Sequence, residues 1–110
     1  MPVHNGERYL AQALGSILQE GADGYEVIAV DDGSSDSSAE ILAYWERRLP
    51  LRRIARRGGN WVAATNAGLR EARGDYVCFL HQDDLWLPGR LAAIRAEAAL
   101  APTLFLHPAV

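Results

Sequence analysis

The stretch Tyr25-Glu26-Val27-Ile28-Ala29-Val30-Asp31-Asp32-Gly33-Ser34-Ser35-Asp36 decides how the chain is read. A mostly apolar run of β-forming residues passes directly into two aspartates and a turn, the pattern of a buried parallel strand that stops at a polar rim. The pattern recurs at Asp75-Tyr76-Val77-Cys78-Phe79-Leu80, which ends in His81-Gln82-Asp83-Asp84. A weaker candidate strand, Leu51 to Ala55, lies between the two. Met1-Pro2-Val3-His4 reads as the last turn of a short first strand, with little backbone to pair in the middle of a sheet.

Between these runs the apolar spacing becomes helical. Leu10, Leu14, Ile17 and Leu18 recur at i, i+4, i+7 and i+8, with Asn5 and Glu7 at the start. A second helix is expected from about Ser37 to Arg48, opened by the capping box Ser37-x-x-Glu40 and turning Ile41, Leu42 and Trp45 inward. The third runs from about Asn60 to Arg73, aligns Val62, Asn66 and Leu69, and closes at Gly74. The fourth starts at Pro88, carries Leu91, Ile94 and Leu100, and stops near Pro102. This alternation predicts an α/β fold, an open and mainly parallel sheet with right-handed crossovers.

Composition sets the outer bounds. The chain has 110 residues, 49% hydrophobic and 23% charged, as expected of one soluble globular domain. A chain of this length buries roughly 65% of its unfolded surface, enough for one core and not for a second substrate domain. Its 11 basic and 14 acidic residues give a net charge of −3, which argues against a nucleic-acid partner. All the basic residues are Arg, and the absence of Lys excludes Schiff-base chemistry and Walker-type or receiver-domain lysines. The single cysteine, Cys78, is expected to be a buried, inert thiol in a reducing compartment. No stretch approaches the roughly 20 apolar residues of a spanning helix. The first residues also lack a signal pattern, so the expected location is cytoplasmic. The cluster Arg47, Arg48, Arg52, Arg53, Arg56 and Arg57 is read as a solvated face, the alternative being a contact with phosphate or a partner.

The chemistry is expected at the rim. Asp31-Asp32-Gly33-Ser34 and His81-Gln82-Asp83-Asp84 follow two predicted strands, and in an open parallel sheet ligands bind at the carboxyl ends of the strands, where strand order reverses. Crowded carboxylates repel unless a cation or a ligand's donors lie between them. Mg or Mn accepts such oxygen ligands and completes its shell with phosphate, so a nucleoside diphosphate fits. Each cluster alone also fits a turn that supports a helix start. His4 and His107 lack partners at ligand spacing and are expected on the surface or in packing. His81 could ligate a metal or bond a ribose.

Four runs together carry a resemblance: Pro2-Val3-His4-Asn5-Gly6-Glu7-Arg8-Tyr9-Leu10, Glu26 to Asp36, Ala63-Ala64-Thr65-Asn66-Ala67-Gly68-Leu69, and Gly74 to Pro88. In this order and spacing they resemble the amino-terminal half of family 2 glycosyltransferases of the GT-A fold. The resemblance implies a Rossmann-like open sheet, mainly parallel, with helices on both faces, and it makes residues 1–110 a partial, truncated domain, the half that binds the donor. It implies a nucleotide-diphosphate-sugar donor bordered by Pro2, Val3, His4, Asn5 and Glu7. Asp32 would contact the nucleoside beside Asp31, and Asn66 would lie on the helix facing the site. The Asp-x-Asp element falls on His81, Gln82 and Asp83, which makes Asp83 the implied ligand of a divalent cation, Mn or Mg, with Asp84 or His81 beside it. His81 stands where many members have Asp, Thr65 where Arg is common, and Gly58-Gly59-Asn60-Trp61 departs from the usual Asn-x-Gly arrangement. The implied reaction is inverting transfer of the sugar to an acceptor hydroxyl on a glycan, a lipid-linked acceptor or a protein. Its catalytic base is expected outside this chain. Biosynthesis of a polysaccharide or cell-envelope glycan, in the cytoplasm or at the inner face of the membrane, is the implied setting. Two other readings are a degenerate, non-catalytic donor module that self-assembles into a homo-oligomer through its incomplete sheet, and a sugar-nucleotide nucleotidyltransferase.

Overall fold

The computed structural model describes residues 1–100. Their elements are β1 (Pro2–Val3), α1 (Leu10–Leu18), β2 (Val27–Asp32), α2 (Ser38–Trp45), β3 (Leu51–Arg56), α3 (Trp61–Glu71) and α4 (Arg90–Leu100). The three strands form one parallel sheet in the order β1-β2-β3. Side chains alternate along β2, so Val27 and Ala29 enter the core with Leu10, Leu14 and Ile17 of α1 and Leu42 of α2. Ile28 and Val30 face α3 instead. There Gly68 approaches so closely that a Cβ would stand 3.3 Å from Val30 Cγ2. Helices therefore cover both faces, as expected of an α/β layer structure.

The central strand begins two residues later than the apolar run and includes both aspartates. A larger departure concerns Asp75 to Leu80, which is no strand. A sheet strand needs a neighbour to take its backbone hydrogen bonds, and β1, beside which this segment returns, offers only two residues. Strand order therefore does not reverse among the described residues. Leu80 still reaches the core, whereas Tyr76, Val77 and Phe79 remain exposed. Cys78 is likewise exposed rather than a core thiol. Partial burial pushes its thiol up, offset in part by the Arg90 charge. The consequence is an apolar groove of about 400 Å³ between β2, α3, α4 and residues 74–80. β1 pairs β2 at Val30 and Asp31, and the Met1 amine donates to the Ile28 carbonyl at 2.8 Å; among the described residues no strand flanks Val27 to Ala29 on that side.

Helix starts follow charge more than the expected box. Tyr9 precedes α1 without a side-chain cap, so Asn5 and Glu7 do not open that helix. Ser37 makes no side-chain cap to α2 either. Instead Asp36 Oδ1 accepts the Ser38 N–H at 2.9 Å and Glu7 Oε2 accepts the Ser37 N–H at 3.1 Å. Charged acceptors make the stronger bonds to orphan amides. Asn60 caps α3 as its position suggested, accepting the Ala63 N–H at 2.9 Å. The face of α3 turned inward carries Ala64 and Gly68, while Val62 and Leu69 are exposed, because only small residues let this helix lie close to β2. α4 buries Leu91 and Ile94 but leaves Leu100 exposed. The carboxylate of Glu20 receives the Gly89 and Leu91 N–H groups at its start, at 2.9 and 2.8 Å. The predicted stop at Pro102, and His107, lie outside the described residues.

Candidate functional site

At the carboxyl end of the sheet a cavity of about 150 Å³ is lined by Pro2, Val3, His4, Asp32, Trp61, Ala64, His81, Gln82 and Asp83. Carboxylates from two segments, the end of β2 and the turn at 81–84, share this one space. Asp32 is only 6% exposed. It pairs across the sheet with Arg56, its register partner on β3, at 3.3 Å between Oδ1 and Nη1. Both atoms are buried and neither makes a hydrogen bond, so the carboxylate keeps acceptor capacity beside the cavity.

Asn5, Glu7 and Asp31, expected against the donor, are used elsewhere and do not line this cavity. Asp31 Oδ1 accepts the Ser34 N–H at 3.0 Å, closing the turn. Asn5 takes a positive φ of 48°, tolerable for Asn, and its Oδ1 accepts the Ser35 N–H at 2.8 Å. Its own N–H donates to Ser34 Oγ, and the Glu7 N–H donates to Asp36 Oδ2, each at 3.0 Å. The buried Gly6 N–H donates to Ser38 Oγ at 2.8 Å. These bonds stitch the loop after β1 to the loop after β2. Burial would raise the Asp36 carboxyl, but hydrogen bonds from Ser38 and the Glu7 backbone prevail and hold it below its ordinary value.

The turn that carries Asp83 is tied to β1 by Gln82. Its Oε1 accepts the His4 N–H at 2.8 Å, and its Nε2 donates to the His4 carbonyl at 3.0 Å. His4 Nδ1 in turn lies 3.0 Å from the Asp32 carbonyl oxygen. His4 is thus part of the cavity wall, with a hydrogen-bonded ring. Asn66 is exposed on α3 and lines no part of the cavity; Asp84 also stands outside it, its N–H closing the turn to the His81 carbonyl at 3.2 Å.

Two residues of the site were not singled out by the sequence. Trp61, 65% exposed at the mouth, meets the His81 ring edge-on at 6.2 Å between centroids. An aromatic directly after an Asn helix cap was the available signal. Arg56 lay hidden in the basic cluster, and only strand register sets it opposite Asp32. That cluster is no phosphate patch in its strand portion. Arg52 pairs with Glu26 and Glu71, and Arg53 with Glu46 at 2.9 Å. Arg48 lies over the Tyr44 ring at 3.5 Å.

Among the described residues no group of three or more His, Cys, Asp or Glu side chains is placed to hold a metal ion. The donor set thus does not fit a cage made of protein alone. It does fit an Mg- or Mn-type cation that takes one or two carboxylates and draws its other ligands from a bound phosphate.

Comparison with known proteins identifies the family. The profile described as glycosyl transferase family 2 matches residues 1–103. The chain belongs to this family. An uncharacterized glycosyltransferase of Haemophilus influenzae is 41% identical over 76% of this chain and 34% of its own length. One from Nostoc sp. is 34% identical over 83% of this chain and 29% of its own. Among solved structures, S. aureus TarS 1-349 in complex with UDP-GlcNAc superposes with a TM-score of 0.84 at 26% identity, over 90% of this chain and 30% of that one. The same TarS segment in complex with UDP gives 0.85 at 25% identity. The chain therefore spans about a third of the length of such relatives. No helix among its described residues is long and apolar enough to cross a membrane.

Proposed function

We propose that this chain is the donor-binding half of an inverting glycosyltransferase, taking a nucleoside diphosphate sugar at the carboxyl end of its sheet. The observation that carries this reading is the meeting of Asp32 and Asp83 in one cavity. UDP and UDP-GlcNAc in the TarS complexes support the ligand class and make UDP the natural probe. In this reading the spare acceptor capacity of Asp32 receives an N–H of the nucleoside. Asp83, with His81 beside it, would hold Mn or Mg, the remaining ligands coming from the diphosphate. The cation, when bound, stabilises the charge that develops on the leaving diphosphate. The bond from the anomeric carbon to the diphosphate oxygen breaks as the acceptor oxygen bonds to that carbon from the opposite side. The acceptor's proton goes to a base supplied outside these residues.

Calorimetric titration with UDP tests the binding. Mn is expected to raise affinity about tenfold or more, ~1.4 kcal/mol, and Asp83→Ala to abolish that gain with the fold intact by circular dichroism. Equal affinity with and without Mn in the unaltered chain would overturn the metal assignment. No measurable UDP binding would overturn the donor site.

A second reading, self-association as a binding module, is favoured by the apolar groove beside β2, whose edge from Val27 to Ala29 is met among the described residues by the Met1 amine and by no strand. The occupant that fits is residues 75–80 of a second copy, a β-rich segment that forms no strand among the described residues. Sedimentation at rising concentration should then yield a dimer that Val77→Lys dissolves. A strict monomer at all concentrations overturns this reading.

A further inference from the structure

Resting on the donor site above, we propose that Gln82 is the positioning residue that sets where Asp83 and His81 stand relative to Asp32. Residues 74–80 form no strand under the turn at 81–84, so no sheet ladder holds that turn in place. The Gln82 carboxamide supplies the missing bonds. It accepts from the N–H and donates to the carbonyl of one residue, His4, as a neighbouring strand would. The two partners, 78 residues apart in the chain, also fix which end of the amide is oxygen. Only an amide can both accept and donate in one plane here. Glutamate would turn an acceptor toward the His4 carbonyl, and asparagine is one methylene too short.

Gly6 is the second half of the device. A Cβ at Gly6 would stand 2.6 Å from Gln82 Oε1 and 2.9 Å from its Cδ. The Gln82 amide reaches His4 only because nothing projects from Gly6. His4 passes the constraint on, since its ring bonds to the Asp32 carbonyl. One hydrogen-bonded path thus joins the two segments that carry the carboxylates. The fold does not depend on it, because Leu80 is anchored in the core and the start of α4 is held by Glu20.

The experiment uses the full chain and two readouts: amide proton exchange at His4 by NMR, and UDP titration with and without Mn. Gln82→Met and Gln82→Glu should speed His4 exchange and remove the Mn-dependent gain in UDP affinity, roughly tenfold, while the melting temperature stays within a few degrees. Gly6→Ala should have the same effect, yet add nothing in a Gln82→Ala background, the non-additivity of residues in contact. Unchanged His4 exchange in Gln82→Met overturns the clamp, whatever happens to UDP. Faster exchange with an unchanged Mn-dependent gain overturns the positioning role. An unaltered chain whose UDP affinity ignores Mn overturns the metal assignment, one that binds no UDP overturns the donor-site reading itself, and either result takes the positioning role with it.

Discussion

Arg56→Met is expected to lower the unfolding free energy by about 2–3 kcal/mol, because it leaves the nearly enclosed Asp32 carboxylate without its counter-charge, a loss that water entering through the cavity offsets only in part. Asp32 is nearly enclosed, with its side chain 7% exposed, whereas that of Arg56 is 27% exposed. The loss therefore falls below the ~3–5 kcal/mol of a fully buried pair broken on one side. Adding Asp32→Asn to Arg56→Met should recover part of the loss, since a neutral amide needs no counter-charge. Urea unfolding of the two single variants and the double variant measures the coupling. A single-variant change under about 0.5 kcal/mol would show that the pair is no more than a surface contact.

A larger side chain at Gly68 should act on the other wall of the site. Its Cβ would already meet Val30 Cγ2 at 3.3 Å, and Ile28 Cγ2 lies at 3.8 Å from the same point. Gly68→Leu leaves no room for the branch, so α3 must move away from β2 or the strand's side chains must leave their rotamers. Overpacking of this kind costs about 1–3 kcal/mol. The N-terminal end of α3 supplies Trp61 and Ala64 to the cavity. Displacement of the helix should therefore weaken UDP binding as well as lower the melting temperature. Gly68→Ala, tight but without a branch, should give a smaller change in the same direction. Equal melting temperatures for the two variants and the unaltered chain would contradict this packing.

Several features of the site were legible in advance for local reasons. The apolar run up to Val30 that passes into two aspartates and Gly33 marked where the central strand ends, and the Asn60 cap depends only on residues within one helical turn. Other expectations failed where the outcome depends on a neighbour. Tyr76 to Phe79 has strand composition, but composition cannot provide the adjoining backbone that a strand requires, and β1 is too short to offer it. Ser37 and Glu40 spell a capping box, yet Asp36 and Glu7 bind the amides at the start of α2, and Glu7 reaches them from a different loop. Asn5 and Glu7 are expected to border the donor. Their side chains serve the joint between two loops instead of the cavity.

The sequence by itself determined the α/β class, the parallel sense of the sheet, the family and the rim where acidic groups gather. Each of these follows from side-chain periodicity, turn chemistry and motif order, which are properties of short stretches. Only the tertiary structure decided that Arg56 neutralises Asp32, that Gln82 bonds to the backbone of His4, and that Gly6 and Gly68 must lack side chains. Those contacts join segments remote in sequence. Their distances come from strand register and from how closely packed elements approach, and no local pattern encodes either.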